Sequence, residues 1–332
     1  MKTVRRAAVA GSFYPGDPRA LTRMLDELLT EARSTAPSDA PVPKAIIVPH
    51  AGYIYSGPMA ARAYTRLEAG RGHISRVILL GPTHRVPVRG LALPDAEQLA
   101  TPLGLVPVDA AGCELAAGLP GVCVAGEVHA EEHSLEVQLP FLQTVLGPVP
   151  VVPLAVGTAP ARMVADVLGV LWGGPETLIV ISSDLSHYLP QDLAVSVDRQ
   201  TVAQILALDS TITHDRACGA TPLDGMLLAA SERGLRSELL GRCTSADTAG
   251  DPDRVVGYCA VALHEQTPPQ PTTGGGATAA AELPEDAGAT LLPLARHAIA
   301  QALGAEPDAD LLAGKPAWLA RPGAAFVTLN RA

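Results

Sequence analysis

Three short runs limit the architecture of this chain more than any other feature: "AIIV" at 45–48, "RVILL" at 76–80 and "TLIVIS" at 177–182. None of them alternates apolar with polar residues, so a strand built from any one would bury both of its faces. Such strands need cover above and below, which a single chain supplies by laying helices on both sides of a sheet. Further strand candidates lie at 149–156, 237–242 and 255–263, and helical patterns fall between them at 57–67, 134–146, 161–172, 193–208 and 222–233. This alternation predicts an α/β fold, a layered domain with a largely parallel central sheet flanked by helices. Pro140 lies inside the 134–146 pattern and predicts a kink or a break there.

Charge and composition then exclude classes of function. With 24 Lys and Arg against 34 Asp and Glu, the formal charge of −10 leaves no cationic excess to neutralise phosphates or to dock on an anionic membrane. No apolar run has the length of a membrane span, and the opening "MKTVRRAAVAGSFYPGD" is too weakly apolar for a signal peptide. The expected location is cytoplasmic. Cys113, Cys123, Cys218, Cys243 and Cys259 are scattered without a C-x-x-C pair, which reads as reduced, mostly structural thiols. Three parts are expected along the chain: a domain at 1–265, a flexible linker rich in Pro, Gly and Ala at 266–288, and a short segment at 289–332. That last segment is below the size at which a domain usually folds unaided.

In a parallel sheet, binding sites gather outside the carboxyl ends of the strands, where the loops converge. Here "AIIVPH" ends in His50, "RVILLGPTH" in His84, and "TLIVISSDLSH" in Asp184 and His187. A fourth cluster, "HAEEHSLE", offers His133 and Glu136, and Tyr53 follows His50 closely. Two neutral imidazoles and a carboxylate with open positions suit non-haem iron, while three N or O ligands and a water suit zinc. A further histidine beside a metal can serve as a general base. A nucleophile reading of Ser182 or Ser183 with Asp184 and His187 lacks the G-x-S-x-G elbow. "HAEEH" spells the pattern of inverted zinc peptidases but needs one helix to carry both histidines, and the helix here is expected to start only at Ser134.

The motifs "PHAGYIYSG", "ILLGPTHRVP", "EEHSLEVQLPFL", "SSDLSHY" and "VVGYCAVAL", with the opening "RRAAVAGSFYPGDP", resemble the Memo family, relatives of class III extradiol dioxygenases. The resemblance covers about residues 4–264 in order. The tail "LLPLARHAI…GAAFVTL" resembles the beginning of an AMMECR-type domain, often encoded beside Memo and a radical SAM protein. The resemblance implies an iron or copper site, with zinc as an alternative. It places His50 and His84 as ligands, and His187, with Asp184 beside it, in the catalytic position. It puts the third ligand in the loop "RCTSADTAGDPD", near Thr248, with Asp247 adjacent. Threonine is a poor replacement for a carboxylate, so the resemblance implies metal binding and possible redox chemistry more directly than ring cleavage. It also implies action with an AMMECR-type domain and a radical SAM partner. The competing expectation is a non-catalytic binding protein that uses the same crevice for a peptide or small ligand.

Overall fold

The computed structural model describes residues 3–35 and 40–266. In chain order its strands are β1 (Val4–Arg5), β2 (Ala45–Val48), β3 (Arg76–Pro82), β4 (Leu91–Leu93), β5 (Gln98–Thr101), β6 (Gly104–Pro107), β7 (Val122–Val124), β8 (Val151–Val156), β9 (Thr177–Ser182), β10 (His187–Leu189), β11 (Arg236–Thr244) and β12 (Val255–His264). Its helices are α1 (Pro18–Thr35), α2 (Tyr53–Tyr64), α3 (Ala110–Ala117), α4 (Gly126–Ala130), α5 (Leu139–Leu146), α6 (Ala161–Leu171), α7 (Gln191–Leu206) and α8 (Ala220–Glu232). The expected linker beyond Gln266 and the segment at 289–332 lie outside the described residues.

The central sheet has nine strands in the order β10-β12-β2-β9-β3-β8-β4-β7, with β11 added on β12. Its middle is the parallel set β2-β9-β3-β8, and β2, β9 and β3 are the three apolar runs read from the sequence. The flanks are antiparallel: β12 runs against β2 and β4 against β8. Side chains alternate between two cores, as a strand covered on both faces requires. Ile46, Val48, Val77 and Leu79 pack with Leu21 and Leu25 of α1, Tyr64 of α2 and Phe141 of α5. Ala45, Ile47, Ile78 and Leu80 pack on the other face with Val164 and Leu168 of α6 and Leu223 and Leu227 of α8.

Helix α1 was not among the expected elements, although its pattern is regular. Leu21, Leu25, Leu29 and Ala32 recur at helical spacing and are all buried. Asp17 caps it by accepting from the Ala20 N–H at 2.8 Å, and burying each leucine contributes roughly 1.5–3 kcal/mol. The 134–146 pattern does not form one helix. A 3-10 turn over Glu136–Gln138 leads into α5, and Pro140 sits in the first turn, where its missing N–H costs no hydrogen bond. No helix among the described residues is long and apolar enough to cross a membrane.

Three neighbouring parallel strands position the site. β2 ends at Val48, β9 at Ser182 and β3 at Pro82, and the residues that follow them are His50, Asp184 and His84.

Candidate metal centre

His50, His84 and His133 meet over these strand ends, each offering one nitrogen within 4.8 Å of the others. The ring centroids lie 5.1 Å apart for His50 and His84, 5.6 Å for His50 and His133, and 4.6 Å for His84 and His133. His50 is buried, His133 half-buried, and His84 opens to a cavity of about 1030 Å³. Asp184, His187 and Cys218 line the same cavity.

Hydrogen bonds fix which nitrogen of two rings is free. The Ser182 hydroxyl has one proton, and it goes to the Ser134 carbonyl at 2.6 Å. Ser182 Oγ also accepts from Gln138 Nε2 at 2.8 Å, so His50 Nδ1, 2.9 Å away, must be the donor in that pair. His50 Nε2 therefore keeps its lone pair, and the Cys218 thiol sulfur stands 3.3 Å from it. His84 Nδ1 donates to Glu132 Oε1 at 2.9 Å, which leaves Nε2 of His84 free. Glu132 Oε1 accepts as well from the backbone N–H groups of His133 and Ser134, both at 2.9 Å. One carboxylate thus orients two of the three histidines. His133 Nδ1 is buried with no hydrogen-bond partner, 3.4 Å from Glu132 Oε1.

Burial keeps the His50 and His133 imidazoles uncharged. Burial, reinforced by His84, pushes His50 down to about 3, and burial, reinforced by His50, pushes His133 down to about 4. Burial acts to raise Glu132, but its hydrogen bonds from His84 and the backbone N–H groups overcome that and hold it down at about 2. Asp184 is raised by burial, although its Oδ1 accepts the His50 backbone N–H at 2.7 Å. His187 donates from Nδ1 to the Leu185 carbonyl at 2.8 Å, and its Nε2 makes no hydrogen bond among the described residues. An orphaned buried nitrogen beside two imidazoles with directed lone pairs fits a transition-metal ion, for which neutral imidazole is a favoured ligand.

Residues 5–262 match the family described as Memo-like protein. A MEMO1 family protein of Sulfolobus acidocaldarius is 34% identical over 280 residues, which is 78% of this chain and 98% of the relative. The chain belongs to the Memo family. A Memo relative from Pyrobaculum arsenaticum is 34% identical over 281 residues, 79% of this chain and 99% of its own length. Another from Ignicoccus hospitalis is 36% identical over 279 residues, with 78% and 98% covered.

Within this Memo chain the expected site residues divide. His50, His84, Asp184 and His187 share the cavity, and His133 joins them. Asp247 and Thr248 do not. Asp247 Oδ2 closes a capping box by accepting from Thr244 N and Oγ1, the latter at 3.0 Å, and Thr248 Oγ1 donates to the Ser245 carbonyl at 2.9 Å. The loop's own turn uses both side chains, and neither lines the cavity. Glu136 lies away from it too: its carboxylate pairs with Arg5 and accepts from Tyr14 and from the N–H groups of Ala8 and Val9, at 2.7 and 3.0 Å. Tyr53 is buried and donates to the Val137 carbonyl at 2.6 Å. In "HAEEH", His129 sits on α4 and bonds the Ala92 carbonyl at 2.8 Å, while His133 lies beyond that helix, so the peptidase pattern is not assembled. Three residues were missed. In the sequence Ser182 stands out only as a possible nucleophile, Glu132 only as part of "HAEEH", and Cys218 as a structural thiol. The sequence signal for Ser182 was its place at the end of an apolar strand. For Glu132 and Cys218 no local signal exists, because long-range contacts place them.

Proposed function

We propose that this Memo-family protein holds a divalent first-row transition metal, iron or copper, on His50, His84 and His133, and acts on a small molecule bound in the cavity over them. The observation that supports it is the donor set itself: three imidazoles whose nitrogens converge within 4.8 Å, with His50 and His133 held uncharged by burial. Three nitrogen donors leave coordination positions open to a substrate or water. The bound metal would supply Lewis-acid or redox chemistry. The chain supplies the rest. His187, held through Nδ1 by the Leu185 carbonyl, can exchange a proton at Nε2 with a molecule in the cavity, and Asp184 secures the backbone of His50. The resemblance of the tail extends the proposal to joint action with an AMMECR-type domain and a radical SAM partner, which co-purification would test.

The test is metal content by plasma mass spectrometry after anaerobic purification, followed by reconstitution with iron, copper and zinc in turn. Near-stoichiometric iron or copper is expected in the wild type. His50→Ala/His84→Ala should lose more than the roughly 10–100-fold affinity that removing an outer hydrogen-bond partner costs. Absence of metal in both proteins after reconstitution would refute the proposal and leave the cavity as a binding surface. Stoichiometric zinc alone would refute its redox part.

A further inference from the structure

The cavity carries a second feature that the metal site does not use. In β10, His187 pairs with Val256 and Leu189 with Val255, so Tyr188 is an extra residue with no partner on β12. A bulge of this kind re-aims a side chain, and bulges concentrate beside active sites. Tyr188 also adopts φ of 61°, a left-handed conformation that non-glycine residues hold only where the surroundings enforce it. The result of that strain is exposure rather than burial: the tyrosine is 61% exposed and lines the cavity. Its ring lies under the guanidinium of Arg254, with the cation 4.4 Å from the ring centroid. Among the described residues, that guanidinium makes no ion pair or hydrogen bond, although it too lines the cavity. A backbone held in an unfavourable conformation to present an aromatic face and an unpaired cation is arranged for a ligand.

We propose that Tyr188 and Arg254 form a clamp at the cavity wall that selects planar molecules bearing a carboxylate. The tyrosine face takes the planar part by stacking, and the guanidinium receives the carboxylate through paired N–H bonds. A monoanion suits the site better than a phosphate dianion, because Asp215 and Asp251 line the same cavity. This names the ligand class for the cavity assigned above and rests on that reading of it, but the clamp uses none of the three histidines. The two ideas can therefore fail separately.

The test compares 4-hydroxybenzoate with its neutral amide, 4-hydroxybenzamide, by calorimetric titration. Wild-type protein should bind the acid roughly tenfold more tightly, as one charge-assisted contact allows. Arg254→Gln should bring the two ligands within about twofold of each other, and Tyr188→Ala should weaken both. His50→Ala/His84→Ala should keep the preference for the acid even as metal content is lost, which separates the clamp from the metal site. Arg85 lines the cavity as a second arginine without an ion pair among the described residues, so Arg85→Gln is the control and should retain the preference. The clamp is overturned by equal binding of acid and amide, by binding of neither at millimolar concentration, or by a preference that survives Arg254→Gln. It is overturned equally by a preference that disappears with Arg85→Gln instead.

Discussion

Glu132 does more to organise this site than any residue that would touch a metal. Its carboxylate accepts from the His84 ring and from the N–H groups of His84, His133 and Ser134, so one side chain sets the tautomer of one histidine and the loop position of another. A glutamine in its place has a single acceptor oxygen, and its NH2 would face an N–H group that also donates. Glu132→Gln is therefore expected to lower metal affinity by about 10- to 100-fold while every ring nitrogen of the cluster remains present. Competition against a chelator of known affinity would measure it. Unchanged affinity would mean that the rings are held by packing alone. The histidines themselves differ in how visible they are in the sequence. His50 and His84 each follow a fully apolar strand, so their position outside the carboxyl end of a sheet can be read locally. His133 follows no strand, and its approach depends on Glu132 and on the Ser134 hydroxyl donating to the Pro82 carbonyl at 2.7 Å.

Among the elements, close approaches decide where the site loop can sit. Gly81, near the end of β3, faces Ser134: a Cβ there would lie 2.8 Å from Ser134 Oγ and 3.0 Å from a Leu135 methyl. Gly225 of α8 stands in similar contact with α6, where a Cβ would lie 2.3 Å from that of Val164. Both substitutions to alanine overfill a packed contact and should destabilise the protein by about 1–3 kcal/mol. Their effects on the site should differ. Gly81→Ala displaces the 133–135 loop and should lower metal affinity, whereas Gly225→Ala acts between helices remote from the histidines and should leave it unchanged. Urea unfolding paired with metal titration would separate the two, and equal metal affinities would show that the loop does not depend on β3. Strands β2, β3, β8, β9, β11 and β12 and most helices were legible, the parallel strands because a run buried on both faces has a distinctive pattern. The edges were not. β4, β7 and β10 are three residues each, too short to show any period, and the antiparallel flanks follow from chain connections rather than composition. Asp247 and Thr248 misled for a related reason: turn residues that cap a 3-10 helix look the same in sequence as loop ligands.

The whole molecule stores buried, uncharged histidines, and this has a consequence for its stability against acid. Burial, reinforced by His84, holds His50 at about 3; burial holds His129 at about 4, and with His50 nearby it also holds His133 at about 4, against about 6.5 for an unfolded histidine. Between these limits the unfolded chain binds protons that the folded one refuses, so stability falls as pH falls. Each such histidine contributes a slope of at most about 1.4 kcal/mol per pH unit. The loss begins near pH 6.5 and continues to about 4 for His129 and His133 and to about 3 for His50. Below that, Glu132 extends it in the same direction, because a carboxylate held at about 2 must be protonated as the fold is lost. Chelator-treated protein should therefore show a melting temperature that declines steadily from pH 6.5 to 4, with no comparable change between pH 7 and 8. The same scan on His129→Gln isolates one contributor away from the metal site and should give a shallower decline. A melting temperature that stays level from pH 7 to 4.5 would mean that these imidazoles already carry protons in the fold, and His50 and His133 could not then receive a metal without first giving theirs up.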